Sequence, residues 1–173
     1  MKAILILIVL STALFVVCKP ATKPQKKVYV LSIAQNKITK ARDTTVFWGK
    51  KHYRYVTAPV KLFNPFDDSL VYFSMTCSTF DIFITNNKNV EIELQPCEHN
   101  FPTHFNVPSH QSSITNVRFF FPKNTENNLR RFKIGMYLCK YPEMNDSEFL
   151  EYLAHNSWPK SFLIWSNEVT IKR

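Results

Sequence analysis

Glycine is almost missing from this chain: its 173 residues hold only Gly49 and Gly135. No dinucleotide fingerprint, Walker loop or nucleophile elbow can be written with two glycines so far apart, because each motif needs closely spaced glycines for tight turns or near backbone approach. Acidic residues are also scarce, 13 against 22 lysines and arginines, for a formal net charge of +9. Such a balance raises phosphate polymers as partners, since basic patches bind them by releasing counterions. Here the cations are scattered as pairs, Lys26-Lys27, Lys50-Lys51, Arg130-Arg131 and Lys172-Arg173, with no recognition motif beside them. We expect no nucleic acid, and weak attraction to an anionic surface at most. Cysteines number four, too few for a scaffold held by disulfides. The apolar supply is ample instead, 45% of residues with 15 Phe and 7 Tyr, so one domain can bury its own core without a metal or cofactor.

Only one long apolar run exists. Met1-Lys2 precedes Ala3 to Cys18, interrupted by no polar residue except Ser11 and Thr12. One positive charge followed by a short apolar stretch has the shape of a signal peptide, and the run falls below the ~20 residues of a typical spanning helix. Val16 and Cys18 suit the third and first positions before a cut, which makes Lys19 the new N-terminus. The alternative keeps Cys18 as a lipidated first residue, although Val17 is a poor neighbour for that modification. The reading is therefore a signal peptide over residues 1–18, a basic linker over 19–27 and one domain over 28–173. The protein is expected to be exported: secreted, periplasmic or associated with the cell envelope.

The domain reads as strands. Val90-Glu91-Ile92-Glu93-Leu94 alternates apolar and acidic residues, as one buried sheet face requires. Val71, Phe73, Met75 and Cys77 share a second such face, Val117, Phe119 and Phe121 a third, and Phe132, Ile134, Met136 and Leu138 a fourth. Further strands are expected over 28–34, 53–63, 81–85, 103–107 and 162–171. Asparagine-rich turns separate them, and asparagine tolerates left-handed backbone better than most residues. Asn145-Asp146-Ser147-Glu148 has capping-box spacing and is followed by Phe149, Leu150 and Leu153 at helical intervals. Many short strands and one helix before the last strand argue for a mostly β, antiparallel, immunoglobulin-like sandwich of about nine strands.

Several segments together carry a resemblance: Lys61-Leu62-Phe63-Asn64-Pro65, the run from Ser69 to Ser78, Gln95-Pro96-Cys97-Glu98-His99-Asn100, Phe132-Lys133-Ile134-Gly135 and Ile164-Trp165-Ser166-Asn167. This set resembles small exported bacterial β-sandwich proteins with no assigned activity, over roughly residues 55 to 171. The chain is more loosely similar to the sandwich of intracellular proteinase inhibitors of the BsuPI type, from which it departs by its leader and its cysteines. The resemblance implies the fold and an inhibitor-like alternative for function.

Candidate sites are few. Cys77 and Cys97 each end a strand in a protein expected to leave the reducing cytosol, so a disulfide is the natural pairing; closing that loop stabilises by roughly 3 kcal/mol in the chain-entropy model. Cys139 reads as unpaired, with a reactive thiol as the alternative. Cys97, His99, His104 and His110 lie close in sequence but lack the spacing of a zinc module. An enzyme of unrecognised type using His99, His104 or His110 is the catalytic alternative, and no catalytic residue is assigned. Glu91 and Glu93 share an exposed face, where strand alternation explains them better than a glycosidase pair. Trp165 is expected in the core. Phe47, Trp48, Lys50, Lys51, His52 and Tyr53 form a basic aromatic stretch that we read as an exposed binding loop. The function expected is a non-catalytic binding domain for an envelope protein or glycan, touching membrane only through the leader or a lipid on Cys18. The intact mass should lack residues 1–18 and rise by two hydrogens on reduction. An uncut mass would refute cleavage, and an unchanged mass would refute the bridge.

Overall fold

The structure, a computed structural model, describes residues 27–45, 52–77, 80–93, 99–123 and 131–171. Of these, 47% are strand against a single α-helix, so the chain is mostly β. The strands are β1 (Val30–Ile33), β2 (Arg42–Thr45), β3 (His52–Phe63), β4 (Leu70–Met75), β5 (Phe83–Thr85), β6 (Glu91–Ile92), β7 (Pro102–Val107), β8 (Ser112–Pro122), β9 (Arg131–Phe132), β10 (Ile134–Tyr137), β11 (Leu163–Trp165) and β12 (Val169–Thr170). The helix, α1, spans Asp146–His155. All pairings between these strands are antiparallel.

One five-stranded sheet dominates and curls into a half-barrel. β3 and β8 pair without interruption from Tyr53↔Pro122 to Phe63↔Ser112. On the far edge of β3, β2 covers its first residues and β1 its last, while β6 covers β8 only at Phe119 and Phe120. A proline inside so central a strand needs explanation, because it cannot donate to the ladder. Thr57 turns both its backbone groups to the β1/β2 edge, where Thr39 meets them at 2.8 and 2.9 Å. Pro59, two residues on, turns the same way and reaches the gap where β1 has ended, so no ladder bond is lost.

Strand alternation then divides the sheet. Val56, Ala58, Val60 and Leu62 of β3 and Val117, Phe119 and Phe121 of β8 point inward and are buried. They meet Phe132, Ile134 and Met136 from β9 and β10, with the Phe119 and Phe132 rings 4.9 Å apart. Burying side chains of this size contributes about 1.5–3 kcal/mol each.

The second group of strands departs from the sequence reading in several ways. Twelve strand segments are present among the described residues rather than nine, and they do not establish the immunoglobulin-like arrangement. The runs expected over 132–138 and 162–171 are each broken: Lys133 separates β9 from β10, and Ser166 to Glu168 separate β11 from β12, where the register slips by one residue. β2 was not anticipated, because Arg42-Asp43-Thr44-Thr45 has no apolar alternation. β4 is buried on both faces, not one, from Leu70 and Tyr72 through Phe73, Ser74 and Met75. Its outer face is covered by α1, whose Phe149 stacks on Phe73 at 5.5 Å.

That helix forms as its capping box predicts. The Asn145 side chain accepts from Glu148 N–H and the Glu148 carboxylate accepts from Asn145 N–H, both at 3.0 Å. It stops at Asn156, whose left-handed φ of 46° frees the chain to turn back. Trp158 then stacks on Tyr137 at 5.3 Å and is buried. Trp165, expected in the core, is instead 41% exposed. It stands on the same outer face as Gly135, its register partner, and lies over the space where a side chain on Gly135 would be.

The turn asparagines also work differently from expectation. Among the described asparagines only Asn156 takes a left-handed backbone; Asn64, Asn86, Asn87, Asn145 and Asn167 instead use their side-chain amides as substitute peptide groups. Buried Asn64 donates to the carbonyls of Asp68 and Val107 at 2.7 and 3.1 Å and accepts from Phe66 N–H. Asn167 meets both backbone groups of Ile33, and Gln35 both of Thr170, so two amides close the seam between β1 and the β11–β12 segment.

A Cβ on Gly135 would sit 2.8 to 2.9 Å from side chains of Leu163, Ile84 and Trp165, which belong to the two flanking strands. Gly135→Ala should therefore lower unfolding stability by about 1–3 kcal/mol, the usual cost of overpacking, in urea titrations followed by tryptophan fluorescence. An unchanged midpoint would show that these side chains give way freely.

Candidate interaction surface

If the even-numbered residues of β3 build the core, its odd-numbered residues face outward together with the even-numbered ones of β8. The register sets them in cross-strand rows: Tyr53 beside Pro122, Tyr55 beside Phe120, Thr57 beside Arg118, Lys61 beside Ile114 and Phe63 beside Ser112. β2 adds Arg42 beside Tyr55, β1 adds Val30 beside Phe63, and β6 adds Glu91 beside Phe120. An outward sheet face is ordinarily polar. This one carries four aromatic rings, all half-buried, with Val30 and Ile114 at 44% and 64% exposure.

The middle of the face is held together by contacts between its own side chains. Tyr55 and Phe120 lie 5.9 Å apart, and the Arg118 guanidinium lies over the Tyr55 ring at 5.0 Å. Glu93 holds that guanidinium at 2.6 Å. Carboxylate, cation and two rings thus form one connected cluster, which restrains the rings. Lys61 lies 5.9 Å from the Phe63 ring. Neither Lys61 nor Arg42 has a carboxylate partner among the described residues. On the opposite face at the β2 end, Asp43 takes Arg54 at 2.6 Å and Lys123 at 3.0 Å, and these cations hold its carboxyl below the ordinary carboxylate range.

The residues expected from sequence are distributed elsewhere. Phe47, Trp48, Lys50 and Lys51 lie outside the described residues, as do Cys18 and Cys97. His52 and Tyr53 do not belong to a loop: they open β3, paired with Thr45 and Thr44. The β pattern extends earlier than the sequence suggested because β2 supplies a partner for it. Cys77 follows β4, and its sulfur lies 3.3 Å from the His99 carbonyl.

The three histidines are not gathered. His104 sits on β7, 4.5 Å from the Phe73 ring and 5.0 Å from that of Tyr141, with Asp146 at 3.9 Å. His110 lies in the β7–β8 turn and meets Asp67 at 2.9 Å; with Lys27 it lowers the Asp67 carboxyl from its ordinary range. His99 precedes β7 at the other end. Among the described residues no three His, Cys, Asp or Glu side chains converge as a metal site would need. Glu91 and Glu93 share the exposed face as expected, yet Glu93 is committed to Arg118.

A cleft of about 540 Å³ lies where the approach to β1, the turn after β3 and the segment before β11 meet, lined by Tyr29, Phe66, Leu138, Phe162 and Ile164. The Lys140–Glu143 ion pair stands at its rim. Comparison with known proteins supplies no relative: no family model and no curated protein sequence matches the chain.

Cys139 is a free thiol, as its position suggested, but not a reactive one. It is fully buried, and burial pushes its pKa up to about 12. Peptide mapping after alkylation at pH 8 should find Cys139 unmodified in the folded protein and modified in denaturant. Fast labelling without denaturant would contradict its burial.

Proposed function

We propose that this is an exported, non-catalytic binding domain, and that it engages an envelope protein or glycan through the outer face of the five-stranded sheet. The observation that carries this reading is the stack of Glu93, Arg118, Tyr55 and Phe120, an ordered aromatic and cationic surface on the side of the sheet that does not form the core. Rings held in place before binding lose little freedom on contact, which favours affinity. Export is supported by the leader, and it would place Cys77 and Cys97 where a disulfide persists. Lipidation at Cys18 remains the alternative means of attachment to the envelope.

Affinity capture from the native envelope tests the reading. The full-length protein should retain a stoichiometric partner that is lost from the Tyr55→Ser/Phe120→Ser variant. Leu150→Ser, on the 42% exposed position of α1, should keep it. Equal retention by all three proteins would move the contact away from this face.

A further inference from the structure

We propose, building on the export reading, that Asn145 is an acceptor for asparagine-linked glycosylation, its side-chain amide taking an oligosaccharide from a lipid diphosphate donor.

The sequence narrows the choice to one residue. An acceptor asparagine needs a serine or threonine two positions on, with no proline between, because the transferase reads that hydroxyl. Of all the asparagines in the chain only Asn145 has this arrangement, in Asn145-Asp146-Ser147. Two residues before it stands Glu143, the acid that the stricter form of the motif also asks for. In a folded exported domain the acceptor must also lie on the surface, since the added group is bulky and hydrophilic. Asn145, Asp146 and Ser147 are all exposed, between the buried side chains of Met144 and Phe149.

Asn145 is also the N-cap of α1, and the two roles use different atoms. The Glu148 N–H can only donate, so the side-chain oxygen of Asn145 must be the atom that meets it at 3.0 Å. The amide nitrogen is left over, without a partner among the described residues. In the transfer this nitrogen attacks the anomeric carbon of the donor sugar. The nitrogen–carbon bond forms as the carbon–oxygen bond to the diphosphate breaks; the amide gives up one proton, and the lipid diphosphate leaves with the bonding pair. The side-chain oxygen is untouched, so a glycosylated Asn145 still caps the helix. The glycan stands beside β7, where Asp146 lies 3.9 Å from His104, and not on the outer face of the five-stranded sheet.

Glycopeptide mass spectrometry of the full-length protein, recovered from its native envelope and medium, tests this. The tryptic peptide from Tyr141 to Lys160 should carry a sugar mass, which electron-transfer fragmentation places on Asn145 rather than Asn156. Ser147→Ala removes the hydroxyl and Asn145→Asp the amide nitrogen, and each should abolish the sugar mass completely. Both variants should keep α1 and the same urea midpoint, because aspartate caps as well as asparagine and alanine is a strong helix former. A bare peptide, a sugar on another residue, or a sugar that persists in Ser147→Ala would each overturn the proposal. The N-terminus of the same sample separates the two readings. A bare peptide on a chain that starts after the leader overturns glycosylation and leaves export standing; a bare peptide on a chain that keeps residues 1–18 overturns both.

Discussion

The uninterrupted pairing of β3 with β8 is the constraint on which the molecule depends. It fixes a register from Tyr53↔Pro122 to Phe63↔Ser112, and side chains in a strand alternate strictly. Every inward residue of the half-barrel is thereby set at once, and so is every outward one. A slip by one residue would drive Tyr55, Arg118 and Lys61 into the core and expose Val56, Ala58 and Phe119. Buried charge and exposed apolar area would both oppose it, so core and outer face specify the same register for opposite reasons.

Around that pairing the chain solves a problem created by its composition. With two glycines it has few positions that adopt unusual backbone without strain, yet a half-barrel needs corners and seams. Side-chain amides take over part of this work. Asn64 satisfies three carbonyls at the end of the β3–β4 and β7–β8 turns, and Asn167 and Gln35 stand in for a strand's peptide groups between β1 and the β11–β12 segment. An amide offers the donor and acceptor of a peptide bond without asking the local backbone to do anything special. The one described glycine, Gly135, serves close packing instead: three neighbouring side chains occupy the place of its missing Cβ.

α1 and the segment after it extend the core outward. Phe73, Phe149, Trp158 and Tyr137 form an aromatic layer on the outside of β4 and β10. That cover explains why β4 and the residues around Cys139 are buried from both sides, and why the Cys139 thiol is shut away. Among the described residues the outward face of the five-stranded sheet has no such cover, and its Tyr55 ring is instead held by Arg118, which Glu93 holds in turn. Two outward faces of similar chemistry thus differ in cover: one is closed by α1 and the segment after it, and the other is the face on which we propose that a ligand binds.

By itself the sequence determined the elements whose signal is local. The alternation in 53–63 and 117–121 marked the strands that form the core, and the capping box at Asn145 marked α1, because hydrophobic period and capping chemistry act over a few residues. What only tertiary structure decided was pairing and cover. β2 became visible only beside β3, since an edge strand of polar residues gains its stability from a neighbour's backbone. Trp165 was placed outside because of Gly135, thirty positions away in the chain. The candidate surface was likewise hidden: Arg42, Tyr55, Arg118 and Phe120 look unrelated in sequence, and they become one surface only when three strands align in register, because cross-strand distance does not depend on sequence separation.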